Sequence, residues 1–112
     1  MSHNRIDRDN LAMLQELLGE KFSELISTYL NDSQPRLAAL AVAFEKNDMT
    51  ELCHQAHGLK GSSRNLGINP LADLCEEMER QARQGKVENA MQQIAAIEQE
   101  FAAVELILKD LV

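Results

Sequence analysis

Between Cys53 and Gly67 the chain reads CHQAHGLKGSSRNLG, and the residues there best equipped for chemistry are His57 and Lys60. A neutral imidazole near pH 7 is a competent nucleophile, and its two nitrogens let one attack while the other donates a hydrogen bond that fixes the tautomer. Three residues later Lys60 can bring an ammonium close to that ring, where it repels an imidazolium and attracts a phosphoryl group. Gly61 stands one turn after His57 on the same face and has no side chain to wall off the imidazole. A helical glycine costs roughly 1 kcal/mol relative to alanine, so Gly58 and Gly61 together give up about twice that if both are helical. Access for a bulky molecule to His57 is a reason to accept that cost. In mid-helix no free N–H groups are available to hold an anion, so positive charge must come from side chains, Lys60 and Arg64.

Each of these residues has a plainer reading. His57 alone reads as a surface histidine, Lys60 and Arg64 as solvated charges, and the glycines as a weak helix end. The combination, in this order and spacing, favours chemistry.

The elements that must position His57 read as helices. Leu52, Ala56, Leu59, Ser63 and Leu66 step by four and three residues and form the buried stripe of a helix over about 48–66. At about 100° per residue, His57, Lys60, Gly61 and Arg64 share a neighbouring stripe that solvent or a partner can reach. Asp48 with Glu51 resembles a capping box at the start of this helix, and Gly67 ends it. A short helix over about 7–18 carries Ile6, Leu11, Leu14 and Leu18 at helical intervals before Gly19 interrupts. A longer one over about 20–46 aligns Phe22, Ile26, Tyr29, Ser33, Leu37, Leu40 and Phe44, with Pro35 expected to bend or restart it near Asn31 to Ser33. Asn69 and Pro70 read as the N-cap and first residue of a helix over about 70–84. The last helix, over about 87–111, shows Val87, Met91, Ile94, Ile97, Phe101, Val104, Leu108 and Leu111 on one stripe. Short connections at Asn47, Ile68 and Gly85 favour up-and-down packing. The expected fold is all-α, an antiparallel up-and-down four-helix bundle with a short additional N-terminal helix.

Composition agrees and excludes other classes. At 112 residues the chain is long enough for one domain with a single core, spanning residues 1–112, and too short for two ordinary ones. Aromatic residues make up only 4% and prolines number two, so Leu, Ala, Ile and Met must fill a helical interior. The formal charge of −7 would repel a phosphate backbone, which argues against nucleic acid. No apolar run approaches the ~20 residues of a membrane span, and Met1 to Asn10 is polar where a secretory signal would be apolar. A cytoplasmic protein is expected, with Cys53 and Cys75 as thiols in or near the core. Glu51 and His54 spell E-x-x-H, the spacing of di-iron bundles, but no second such pair exists, so no metal site is expected.

The run H-G-L-K-G-S-S-R-N-L-G from His57 to Gly67 closely resembles the signature of the histidine-containing phosphotransfer (HPt) domains of multistep phosphorelays. Chain length and helical layout extend the resemblance over nearly the whole sequence. The resemblance implies that His57 accepts a phosphoryl group on Nε2 from the aspartyl phosphate of a receiver domain and passes it to another receiver's aspartate. It also implies that Lys60 stabilises the phosphoryl charge and that Gly61 leaves room for the receiver. Ser62 and Ser63 belong to the same motif, and Ser63, on the packing stripe, reads as structural. The implied partners are response-regulator receiver domains and the receiver domain of a hybrid sensor kinase. The chain has no Gly-rich nucleotide motif, so it is expected to carry phosphate without kinase activity or a cofactor of its own, the receiver bringing its acidic pocket and Mg²⁺. A monomer suffices. The alternative is a non-catalytic adaptor that binds and sequesters a receiver.

A carboxylate or amide on an adjacent helix could fix the tautomer. If the chain folds back at Ile68, residues equally far from that turn lie side by side; His57 is 11 before it and Glu79 is 11 after it. Glu79 is therefore the candidate to orient the ring, against the reading of an exposed acid on an acid-rich helix. Arg83, one turn on, is a weaker candidate for contact with phosphate or partner. His54, one turn before His57, can rim the docking surface, and His3 reads as incidental. That surface should centre on His57 and draw on the first three helices. Ile6, Leu11, Leu14 and Leu18 either offer it apolar contacts or cap the bundle.

Overall fold

A computed structural model describes residues 5–112, so His3 lies outside the described residues. The elements are all helical: α1 (Arg8–Leu18), α2 (Lys21–Glu45), α3 (Met49–Asn65), α4 (Asn69–Arg83) and α5 (Ala90–Asp110). Each of α2 to α5 packs on its neighbours in sequence, and α5 closes the ring against α2. The pairs Tyr29–Ser63 and Arg36–Gln55 run in opposite directions along α2 and α3, as do His57–Glu79 and Arg64–Asp73 along α3 and α4. That register is antiparallel, the consequence of connections too short to permit anything else. No helix among the described residues is long and apolar enough to cross a membrane.

Local chemistry explains the helix ends. Asp7 caps α1 through Asn10 N–H at 3.1 Å, and Asp48 caps α3 through Glu51 N–H at 3.0 Å. Glu51 does not return a bond to complete a capping box; its carboxylate accepts from Gln55 Nε2 at 2.6 Å. The N-cap of α4 is Ile68 rather than Asn69, which is already helical, with Pro70 in the first turn where its missing N–H does no harm. Between α3 and α4 Gly67 has φ +78°, and a Cβ there would lie 2.9 Å from Asp7 Cβ, so the turn needs glycine twice over. The same residue accepts a hydrogen bond from Asp7 N–H at 2.8 Å, which ties the segment before α1 to the end of α3.

Further expectations need correction. The helix does not restart near Asn31 to Ser33 ahead of Pro35; α2 is continuous from Lys21 to Glu45. Pro35 and Asn31, whose carbonyl loses its i+4 donor, are both exposed, so water can replace the bond. The last helix begins at Ala90, not Val87, because Asn89 takes a left-handed conformation (φ 51°) and Gln81 Oε1 accepts from Glu88 N–H at 2.8 Å. With that start Ala90 turns inward, one turn before Ile94, and Met91 is 71% exposed.

The core is built from the expected stripes: Ile26 and Leu40 of α2, Leu52, Ala56 and Leu59 of α3, Leu71, Cys75 and Met78 of α4, and Ile97, Val104 and Leu108 of α5 are all buried. Cys53 is half-buried, and both cysteines are free thiols. On the α1 side Ile6 and Leu11 are buried as caps of the bundle, Leu14 and Leu18 are half-buried, and the large apolar residues that face outward are Met13 and Leu17.

Candidate functional site

The buried stripe of α3 settles where His57 points. Leu52, Ala56, Leu59 and Ser63 anchor one side of the helix in the core, and the His57 side chain, on the other, is 64% exposed. A Cβ added at Gly61 would meet nothing within 4 Å, so the approach to the ring from that side is open. Ser63 is held by Tyr29, whose hydroxyl is 2.8 Å from its Oγ inside the bundle. Ser62 Oγ donates back to Gly58 O at 3.1 Å. Neither serine hydroxyl is directed at the imidazole.

Opposite His57, α4 presents Glu79. It lies beside the stripe formed by Leu71, Cys75, Met78 and Ala82, and is 2% exposed, which overturns the reading of an exposed acid. Its Oε2 is 2.9 Å from His57 Nδ1. An ionised carboxylate can only accept, so Nδ1 carries the proton and, in the neutral ring, the lone pair sits on Nε2. Two cations share the same acid: Lys60 Nζ is 2.7 Å from Oε1, close enough for an ion pair but not aligned as a hydrogen bond, and Arg83 Nη2 donates to Oε2 at 2.5 Å. Burial by itself pushes the Glu79 carboxyl up, but the contacts with Lys60, His57 and Arg83 outweigh it and hold the group at about 2. A buried carboxylate is tolerable because it is met from three sides.

The remaining candidates divide around this centre. Arg83 joins it through Glu79. Arg64 is turned along α4 instead, 2.8 Å from Asp73 and 3.2 Å from Glu76. His54 is exposed and lines a surface groove between α2 and α3 with Asn31, Asp32, Pro35, Arg36 and Gln55. Glu51 and His54 are part of no metal-binding cluster: among the described residues no three His, Cys, Asp or Glu side chains converge. Two features escaped the sequence. Lys60 is clamped by the acid that holds His57, and Arg36 reaches across from α2 to lie over Gly58. A signal for the buried acid did exist, because Glu79 stands seven residues after Ala72 and so falls on the edge of the apolar stripe.

Fold and site together define a helical bundle with an accessible, carboxylate-oriented histidine beside a lysine. The Hpt domain family model matches residues 24–106, and the chain belongs to that family, the histidine phosphotransfer domains of phosphorelays, which are phosphoryl carriers rather than kinases. The match begins inside α2 and leaves α1 outside it. The crystal structure of histidine-containing phosphotransfer protein B (HptB) from Pseudomonas aeruginosa PAO1 superposes with a TM-score of 0.92 at 38% identity, covering 97% of this chain and 95% of that one. Sensor histidine kinase AruS of Pseudomonas aeruginosa is 33% identical over 78 residues, 69% of this chain; the chain spans only 8% of the length of that kinase.

Proposed function

We propose that His57 accepts a phosphoryl group on Nε2 from the aspartyl phosphate of a receiver domain and passes it to the aspartate of another receiver. The lone pair of Nε2 attacks phosphorus, a P–N bond forms, and the bond from phosphorus to the aspartyl oxygen breaks with its electron pair returning to that carboxylate. The ring becomes cationic in the step, and Glu79, ionised beneath it, stabilises that charge through Nδ1–H. Lys60 stands on the same acid, close to where the phosphoryl oxygens arrive, and supplies the positive charge they need. Gly61 leaves the space the receiver must enter. Reversal of the same step onto a second aspartate completes the relay. Any Mg²⁺ belongs to the receiver's acidic pocket.

The observation that carries the reading is the His57 Nδ1 to Glu79 contact, made by a side chain that is otherwise 64% exposed and has open space beside it at Gly61. The test is transfer from a panel of phosphorylated receiver domains to the wild type and to His57→Gln, with acid lability of the product as the mark of phosphohistidine. Acid-labile labelling that disappears in the variant is the expected result. Binding without labelling from any receiver would replace the reading with a sequestering adaptor.

A further inference from the structure

Gly58 follows His57 directly, and its missing side chain has an occupant inside the molecule. A Cβ there would lie 2.3 Å from Nη1 and 2.5 Å from Cζ of Arg36, so the guanidinium fills the volume any other residue would take. Arg36 reaches that place from α2, donating from Nη1 to Gln55 Oε1 at 3.0 Å, and Gln55 donates in turn to Glu51 at 2.6 Å. Three residues of α3 thus seat one cation against the turn that carries His57.

Its charge is not consumed there. Lys60 and Arg83 share Glu79, and Arg64 is held by Asp73 and Glu76. Among the described residues no carboxylate lies within ion-pair distance of Arg36. In a chain with net charge −7, an arginine immobilised by a neutral amide and left without an acid is poised to receive one from a partner. The place fits. Arg36 and His54 line the same groove, and His54 is one turn before His57 on α3, which puts the groove one turn from the imidazole. Lys60 and Glu79 flank the ring on the α4 side and Arg36 on the α2 side, which separates Arg36 from the charge that handles the phosphoryl group.

We propose that Arg36 is a specificity-determining residue of the docking face, taking a carboxylate on the surface of the receiver domain that presents its aspartyl phosphate to His57, with Gly58 as the gap that seats it. The assignment rests on the phosphoryl-carrier reading of His57. A planar guanidinium held at one end grips a carboxylate with its other N–H groups and fixes the register of the encounter.

The experiment compares the wild type with Arg36→Glu, Arg36→Ala, Gly58→Ala and the Arg36→Ala/Gly58→Ala pair, using the receiver that labels the wild type fastest. Saturation kinetics of transfer and calorimetric binding are both measured. Gly58→Ala displaces only the flexible end of Arg36 and improves helix propensity, so it keeps the fold. Arg36→Glu should raise the half-saturating receiver concentration and the dissociation constant about tenfold or more at low salt, with the maximal rate little changed. Gly58→Ala should weaken binding in the same way, and add nothing once Arg36 is alanine. If half-saturation and binding are unchanged in Arg36→Glu while the wild type is labelled, the docking role is wrong and the carrier reading stands. If only the maximal rate falls, Arg36 acts on the chemistry and the assignment is equally overturned. If no receiver labels the wild type, the carrier reading fails, and the binding isotherms with a receiver that still binds decide on Arg36 alone.

Discussion

His57 Nδ1 lies 2.9 Å from Glu79 Oε2, and of this pair the carboxylate is buried and the imidazole exposed. An anchor in the bundle therefore holds an imidazole that lies largely outside it. The same acid draws Lys60 to its other oxygen, so one side chain of α4 sets both the tautomer of the ring and the position of the cation beside it.

Removing that acid should damage chemistry more than docking. Glu79→Ala is expected to slow phosphoryl transfer on the order of ten- to a hundredfold, the scale on which partners that orient a histidine act, while receiver affinity is unchanged. Glu79→Gln keeps an acceptor for Nδ1–H without the charge and should fall between the two. Single-turnover transfer alongside calorimetric binding separates the effects. Unaffected transfer in Glu79→Ala would remove Glu79 from the mechanism.

The same carboxylate makes the fold sensitive to acid. Unfolded, Glu79 takes its proton near 4.5; folded, its contacts hold it to about 2. Between those values the unfolded chain binds the extra proton, so the Glu79 contribution is complete above pH 4.5 and is lost as pH falls through about 2. Glu77 is also held at about 2, by Arg80 and then Gln81, but on the open surface, where salt screens the pair. Urea midpoints measured from pH 2 to 5 should show an acid slope that Glu79→Gln flattens at both low and high salt. The effect of Glu77→Gln should fade at high salt. Equal salt sensitivity of the two variants would contradict the buried network.

Gly61 sets stability against access. An added methyl meets nothing within the chain, so Gly61→Ala should stabilise α3 by roughly 0.5–1 kcal/mol through helix propensity. The same methyl stands one turn from His57 on the approach side and should slow transfer from the receiver. A higher Tm with a lower transfer rate is the expected pair of results. A higher Tm with transfer at the wild-type rate would mean that the glycine is not there for access.

How far the sequence reaches can be seen from particular residues. The α3 stripe was legible because Leu52, Ala56, Leu59 and Ser63 repeat at the helical period, and a helix buried on one side must show it. The pairing of His57 with Glu79 was legible for a second reason: two helices joined by a tight turn advance equally from it, so equal separation from Ile68 means contact. The start of α5 was not, because Val87 fits the period while the left-handed Asn89 and the Gln81 bond to Glu88 that end it are set by the return of the chain. Nor was the seat of Arg36, since nothing near Gly58 in sequence says that a side chain twenty-two residues earlier will cover it. Periodicity reports faces and turns; it does not report which long side chain crosses between helices.

Tyr29 offers an independent probe of the packing behind His57. It is the only tyrosine in the chain, and its hydroxyl meets Ser63 Oγ at 2.8 Å, on the opposite side of α3 from the imidazole. Burial pushes the phenol up to about 12, against a smaller lowering by the Ser63 bond. Since the unfolded phenol ionises near 10.0, the folded chain retains a proton between these values that the unfolded chain releases. Stability from this group is full below pH 10.0 and declines as pH rises toward about 12. Absorbance should therefore show phenolate only as the helical signal is lost, and Tyr29→Phe should reduce the alkaline decline. At neutral pH Tyr29→Phe leaves the buried Ser63 hydroxyl without its partner and should cost about 1–2 kcal/mol. Ser63→Ala should cost a similar amount, and the double variant less than the two together, because a single bond is removed only once. Phenolate forming near pH 10 in the folded protein, or strictly additive losses, would mean that the Tyr29–Ser63 bond does not hold α3 against α2.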